Sequence, residues 1–166
     1  MNSTSKQDSL VRHLKTHFFH ATDMLESLIE ICPDQLWNQK HGGYIFWQQI
    51  LHALSGNLHW TRQNDRPYPE PFAGKRVFPE LEQDPESQLA KSDLRDLARM
   101  VRAQNAEFFS GKPDTWLAEP CAVLATITNI DVIAMQIRHL QYHVGHCDSI
   151  LREHGAKAAD WIDYLG

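Results

Sequence analysis

Histidine carries the chemistry legible in this chain. The segment RHLQYHVGHCDSIL places His139, His143 and His146 at i, i+4 and i+7, an arc of about 60° on a helix that turns about 100° per residue. Three imidazoles therefore share one stripe. Neutral imidazole is the commonest nitrogen ligand of metals, and an i, i+4 pair on a rigid helix brings two ring nitrogens near one ion. A third ligand has to come from another element. Ten histidines in 166 residues is roughly two to three times ordinary usage, a bias associated with metal binding.

Spacing alone is weak evidence, since about 0.6 chance HxxxH pairs are expected at this histidine frequency. Two occur. The second lies in RHLKTHFFHATDML, where His13, His17 and His20 repeat the frame R-H-L-x-x-H-x-x-H-x-x-x-x-L. They also read as a solvated flank beside the Leu14 stripe. His52 and His59, seven residues apart, stack with Ser55 and Gly56 on a polar, uncharged face opposite Leu54 and Leu58. A helix without formal charge is covered on most sides, so these imidazoles look into a cleft. His59 reads as lining rather than ligand, Cys147 as a buried thiol, and Trp47, Trp60 and Tyr142 as core or cleft wall.

Four amphipathic helices must position these groups. The first is capped by Asp8 or Ser9, carries Leu10, Leu14, Phe18, Ala21, Leu25 and Leu28, and stops at Pro33. After a polar connection ending in Gly42-Gly43, the second runs from Tyr44 to about Gln63. From Asn64 to about Lys91 five of the eight prolines (Pro67, Pro69, Pro71, Pro79, Pro85) dictate a long crossover loop, of a length associated with binding or wrapping. Ser92 caps the third helix, which ends near Gly111-Lys112-Pro113. Residues 114–130 read as extended loop. Asn129 or Asp131 caps the fourth helix, which reaches Arg152 and ends at Gly155. A tail with Trp161 and Tyr164 is expected to pack back on the body. The fold class is all-α, a four-helix bundle in a single domain spanning residues 1–166.

Composition excludes several classes. A net charge of −5 with 22% charged residues gives no electrostatic footprint for nucleic acid. His41 to Thr61 lacks formal charge but is too polar for a membrane span. The N-terminus has no apolar core of a signal peptide, and three widely spaced cysteines, Cys32, Cys121 and Cys147, form no disulfide framework, so a reducing, cytoplasmic setting is expected. Neither HExxH, ExxH pairs, GxSxG, a P-loop nor GxGxxG occurs, which leaves zincin, ferritin-like, serine hydrolase and nucleotide readings unsupported.

The fourth helix resembles the metal-binding helix of the DinB/YfiT-like superfamily, and the second resembles its partner. In that family H-x-x-x-H-x-G on the last helix and one histidine on the second hold a divalent metal. The pattern falls on His139, His143 and Gly145, with His52 in QQILHALSGNLHW at the second-helix position. The resemblance extends along nearly the whole chain in helix order, the long linker and Trp161. It implies a metal-dependent enzyme whose metal ligands are His52, His139 and His143. Zinc or nickel leads, with iron or manganese behind, since imidazole suits them all. It further implies a thiol-dependent S-transferase, with a low-molecular-weight thiol cofactor, or a hydrolase of small molecules. Homodimers are frequent among such proteins. His146 stands where the family often has another polar residue, and takes the role of fourth ligand, of a donor behind a ligand, or of general base; the last makes it the catalytic residue. His17 is a further candidate for the cleft. The competing class is a non-catalytic stress-response or binding bundle with structural metal or none.

Overall fold

The structure is a computed structural model that describes residues 9–63 and 66–164. It is all-α apart from one minimal hairpin. Helix α1 spans Leu10–Ile31 and buries Phe18, Ala21, Leu25 and Leu28 at three- and four-residue intervals. Phe18, Leu25 and Leu28 each contribute about 1.5–3 kcal/mol when fully buried. Ser9 stands at the cap position, but its hydroxyl donates to Asp114 Oδ1 at 2.6 Å. The same carboxylate accepts the first backbone N–H groups, from Leu10 and Val11, each at 3.0 Å. A residue 105 positions away thus does the capping that the local sequence assigned to Ser9. Asp8, the other candidate, lies outside the described residues.

Beyond Cys32 and Pro33 a single turn, α2, spans Asp34–Trp37. The connection read as merely polar then folds into an antiparallel hairpin, β1 (Lys40–His41) with β2 (Tyr44–Ile45), in register Lys40↔Ile45 and His41↔Tyr44. Gly42 and Gly43, at φ 57° and 98°, supply the two positive φ angles that a tight two-residue hairpin turn requires. Because Tyr44 and Ile45 belong to this hairpin, the next helix, α3, begins two residues later than its pattern suggests and spans Phe46–Trp60.

Residues 61–63 and 66–90 form no helix or strand; Asn64 lies outside the described residues. Buried Val77 and Leu89 pin this segment to the core. Helix α4 spans Lys91–Phe109. Its cap position is Ala90 rather than Ser92, and the Asp93 carboxylate accepts the Ala90 N–H at 2.8 Å. A 3-10 turn over Asp114–Ala118 and a bridge between Pro120 and Thr128 organise the stretch read as loop. Helix α5 spans Asn129–Glu153 and is capped by Thr128, not by Asn129 or Asp131. Thr128 donates to Asp131 Oδ2 from both its N–H, at 2.9 Å, and its hydroxyl, at 2.6 Å, so Asp131 acts as the reciprocal member of the cap. Gly155, at φ 68°, ends the helix.

Helix α1 packs on α5 and α4, and α3 packs on α5 and α4. One core cluster centres on Leu25, Leu28, Trp47, Leu54 and Leu151, and a second on Phe18, Phe108, Trp116 and Val132. In the tail, Tyr164 lies against the His13 and His17 rings. Trp161, expected to pack inward, is 76% exposed; Ala159 is the buried anchor, its N–H held by Asp148. Among the described residues no helix is long and apolar enough to cross a membrane.

Candidate metal centre

Helix α5 projects His139 and His143 toward α3, and α3 answers with His52. The three ring centroids are 4.9 Å apart in every pairing, and one ligand nitrogen from each lies within 4.8 Å of the others. Nε2 of His139 is 3.0 Å from Nε2 of His52. Gly56, one turn beyond His52, makes this approach feasible: a Cβ there would stand 3.0 Å from Cε1 of His139.

On two of the three rings the other nitrogen is oriented by a carbonyl group. Nδ1 of His52 donates to the Pro79 carbonyl at 2.7 Å. That bond leaves the Nε2 lone pair of a neutral His52 directed at the other two rings. Nδ1 of His143 makes a longer contact, 3.4 Å, to Oε1 of the buried Gln49, with the same effect. The Pro79 carbonyl is itself held in place. The buried Gln48 amide donates to the carbonyls of Val77, Phe78 and Gln83 at 3.3, 2.9 and 2.8 Å, and Phe78 and Leu81, on either side of Pro79, adopt φ of 45° and 64°. Such left-handed angles cost bulky residues free energy and persist only where surrounding contacts impose them.

Burial pushes the His139 imidazole down to about 4, aided by His52. Burial likewise pushes His143 down to about 3, with the charges of His52, His139 and His146 adding to it. Both rings are therefore neutral at pH 7, the state in which imidazole offers a lone pair to a metal. Three imidazole nitrogens converge, two of them on rings held neutral by burial, and two of the rings are oriented from behind, a donor set that fits a divalent ion.

The other histidines lie elsewhere. His146 is half-buried on the next turn of α5, beneath the β1–β2 turn, where a Cβ on Gly42 would come within 2.4 Å of its Nε2. It lies outside the three-nitrogen group, though close enough to oppose protonation of His143. His59 accepts a hydrogen bond at Nδ1 from Arg62 at 2.8 Å and lines a neighbouring cavity. His13 and His17 pack on Tyr164, and His20 lines the cavity beneath the tail. Cys147 is fully buried, and burial raises its thiol pKa. Gly145, the third element of the motif, faces open space.

Two cavities meet at His52 and Gly56. One, of about 280 Å³, is lined by Ser55, His59, Tyr68, Pro79 and Glu80; the proline-rich segment thus forms one wall of the site. The other, of about 520 Å³, is lined by Trp60, Met135, Gln136, Arg138, His139 and Tyr142. Sequence reasoning left Gln48, Gln49, Gln136 and the Pro79 carbonyl unassigned. The available signal was a pair of glutamines in an otherwise uncharged helix.

Fold and site define an all-α protein with a three-histidine cluster between two long helices that can hold a metal ion. The chain matches the DinB superfamily over residues 17–147 and belongs to it. The matched span contains all three clustered histidines and His146. No curated protein and no solved structure matches the chain.

Proposed function

We propose that this protein is a metal-dependent enzyme, built as a single-domain four-helix bundle in which the proline-rich segment between α3 and α4 is the long crossover. His52, His139 and His143 are its ligands. The observation that carries the reading is the convergence of three imidazole nitrogens beside two open cavities. Structural metal sites are closed, whereas catalytic ones keep a position for water or substrate. A divalent ion held by neutral ligands keeps its full charge and lowers the pKa of a water or thiol that it binds.

The activity best matched to family and site is S-transfer from a low-molecular-weight thiol to a small electrophile. A sulfur–carbon bond forms, the bond from that carbon to the leaving group breaks, and the thiol proton goes to His146 as general base. Hydrolysis uses the same residues with water as the nucleophile. Zinc or nickel suits the donor set, with iron or manganese behind. A cytoplasmic location and assembly as a homodimer complete the proposal; light scattering reads the latter.

The test is elemental analysis of untagged protein purified without chelating resin, beside His139→Ala/His143→Ala and a His13→Ala/His17→Ala control. About one divalent ion per chain, lost only in the α5 variant, is expected. Loaded protein then responds calorimetrically to small thiols. Loss of metal only in the α1 variant would overturn the ligand set. Metal without any thiol or hydrolytic response would favour the non-catalytic bundle.

A further inference from the structure

The larger cavity beside the histidines has walls that metal ligation does not require. Trp60 from α3 and Met135 and Tyr142 from α5 make it largely apolar, yet Tyr142 is 68% exposed, a large aromatic surface left at the mouth. On the same rim stands exposed Arg138. Arg66, Arg76, Arg95, Arg99 and Arg102 each pair with a carboxylate; Arg138 has no such partner among the described residues. On the inner side, one turn before His139, Gln136 is 1% exposed and its Oε1 accepts no hydrogen bond among the described residues. A buried acceptor without a donor costs about 1–3 kcal/mol, and the Gln136 side chain that carries it is part of the wall of this cavity. The smaller cavity carries the opposite charge, from Glu80.

We propose that the larger cavity binds a small aromatic carboxylate whose ring system also carries a hydrogen-bond donor. The carboxylate pairs with Arg138 at the rim, the ring lies along Trp60 and Met135, and the donor satisfies Gln136 Oε1. Glu80 turns an anion away from the other side. Location at His52 and His139 makes this molecule the substrate of the proposed enzyme, and only that last step rests on the functional reading above. The general logic is that of ligand pockets: an apolar body of wall with few polar groups that fix orientation.

The test uses three probes on the full chain, first stripped of metal and then loaded: indole-3-acetate, its neutral amide indole-3-acetamide, and 1-methylindole-3-acetate, which lacks the donor. Calorimetry or ligand-detected NMR on metal-free protein should rank indole-3-acetate first. The amide should bind about fivefold more weakly and the methylated acid about fivefold more weakly. Arg138→Gln, at an exposed position, should bring the acid to the level of the amide; Gln136→Leu should erase the difference between the two acids. If Gln136→Leu fails to fold, the Arg138→Gln comparison decides alone. Equal binding of acid and amide, no binding at all, or indifference to Arg138→Gln would overturn the proposal. Binding only after metal is added, unchanged in Arg138→Gln, would assign the carboxylate to the ion and overturn the cavity proposal while leaving the metal reading intact. Probe selectivity without metal uptake would do the reverse.

Discussion

The carbonyl of Pro79 accepts the Nδ1–H of His52 at 2.7 Å, so a loop with no regular secondary structure sets the tautomer of a histidine on α3. Any residue at position 79 has a carbonyl; what matters is where the loop puts it. Gln48, one helical turn before His52, holds that loop through three carbonyls.

Gln48→Leu should therefore act on the site through the loop. Loss of a partner behind a ligating histidine typically costs about 10–100-fold in metal affinity. The expected outcome is a drop of that order in a competitive metal titration, with a stability loss of about 1–3 kcal/mol from the unpaired carbonyls. NMR of His52 in metal-free protein should show the Nδ1–H tautomer in wild type and a mixture in the variant. An unchanged His52 spectrum would dissociate loop from site.

The two glycines near the histidines should respond in opposite ways. Gly145→Ala meets nothing within 4 Å and should stabilise the helix by about 0.5–1 kcal/mol without altering metal affinity. Gly56→Ala gains the same propensity, but its Cβ arrives 3.0 Å from the His139 ring. Metal affinity should fall while the melting temperature holds or rises. Melting curves beside metal titrations of both variants check this.

His146 and Gly42 should be linked. Gly42→Ala places a methyl 2.4 Å from Nε2 of His146, which the ring can escape only by rotating, and costs about 1–2 kcal/mol for a left-handed residue. If His146 takes the thiol proton, Gly42→Ala and His146→Gln should both lower turnover with metal stoichiometry intact. Full turnover in His146→Gln would remove it from the chemistry.

Acid should weaken the metal-free protein in a defined window. The folded pKa values of His139 and His143, about 4 and about 3, lie below the ordinary 6.5. As pH falls, the unfolded chain takes up these protons first, so stability rises with pH across this range. The contribution is complete above about 6.5 and drains toward 4 and below. Denaturant unfolding of wild type should lose stability between pH 7 and 5 more steeply than His139→Gln/His143→Gln. Parallel slopes would place the acid sensitivity elsewhere.

The four long helices were legible because apolar residues recurred at helical intervals, as in Phe18, Leu25 and Leu28, and because proline ended α1. The hairpin was not: two-residue strands carry no periodicity, and its signal was only Gly42-Gly43. The caps show the limit of local reading. Asp114 caps α1 across 105 residues, a pairing no window along the chain contains.

The sequence by itself determined which side chains can act as ligands and that two of them share a helix face, since an α-helix fixes the relation of i to i+4. That His52 meets them followed from resemblance, not from spacing. Tertiary structure alone decided the remainder: that His146 turns under Gly42 instead of joining the trio, that Pro79 orients His52, and that Arg138 and Gln136 frame one cavity. These are relations between elements brought together by core packing, and packing depends on the whole set of buried faces at once rather than on any segment read alone.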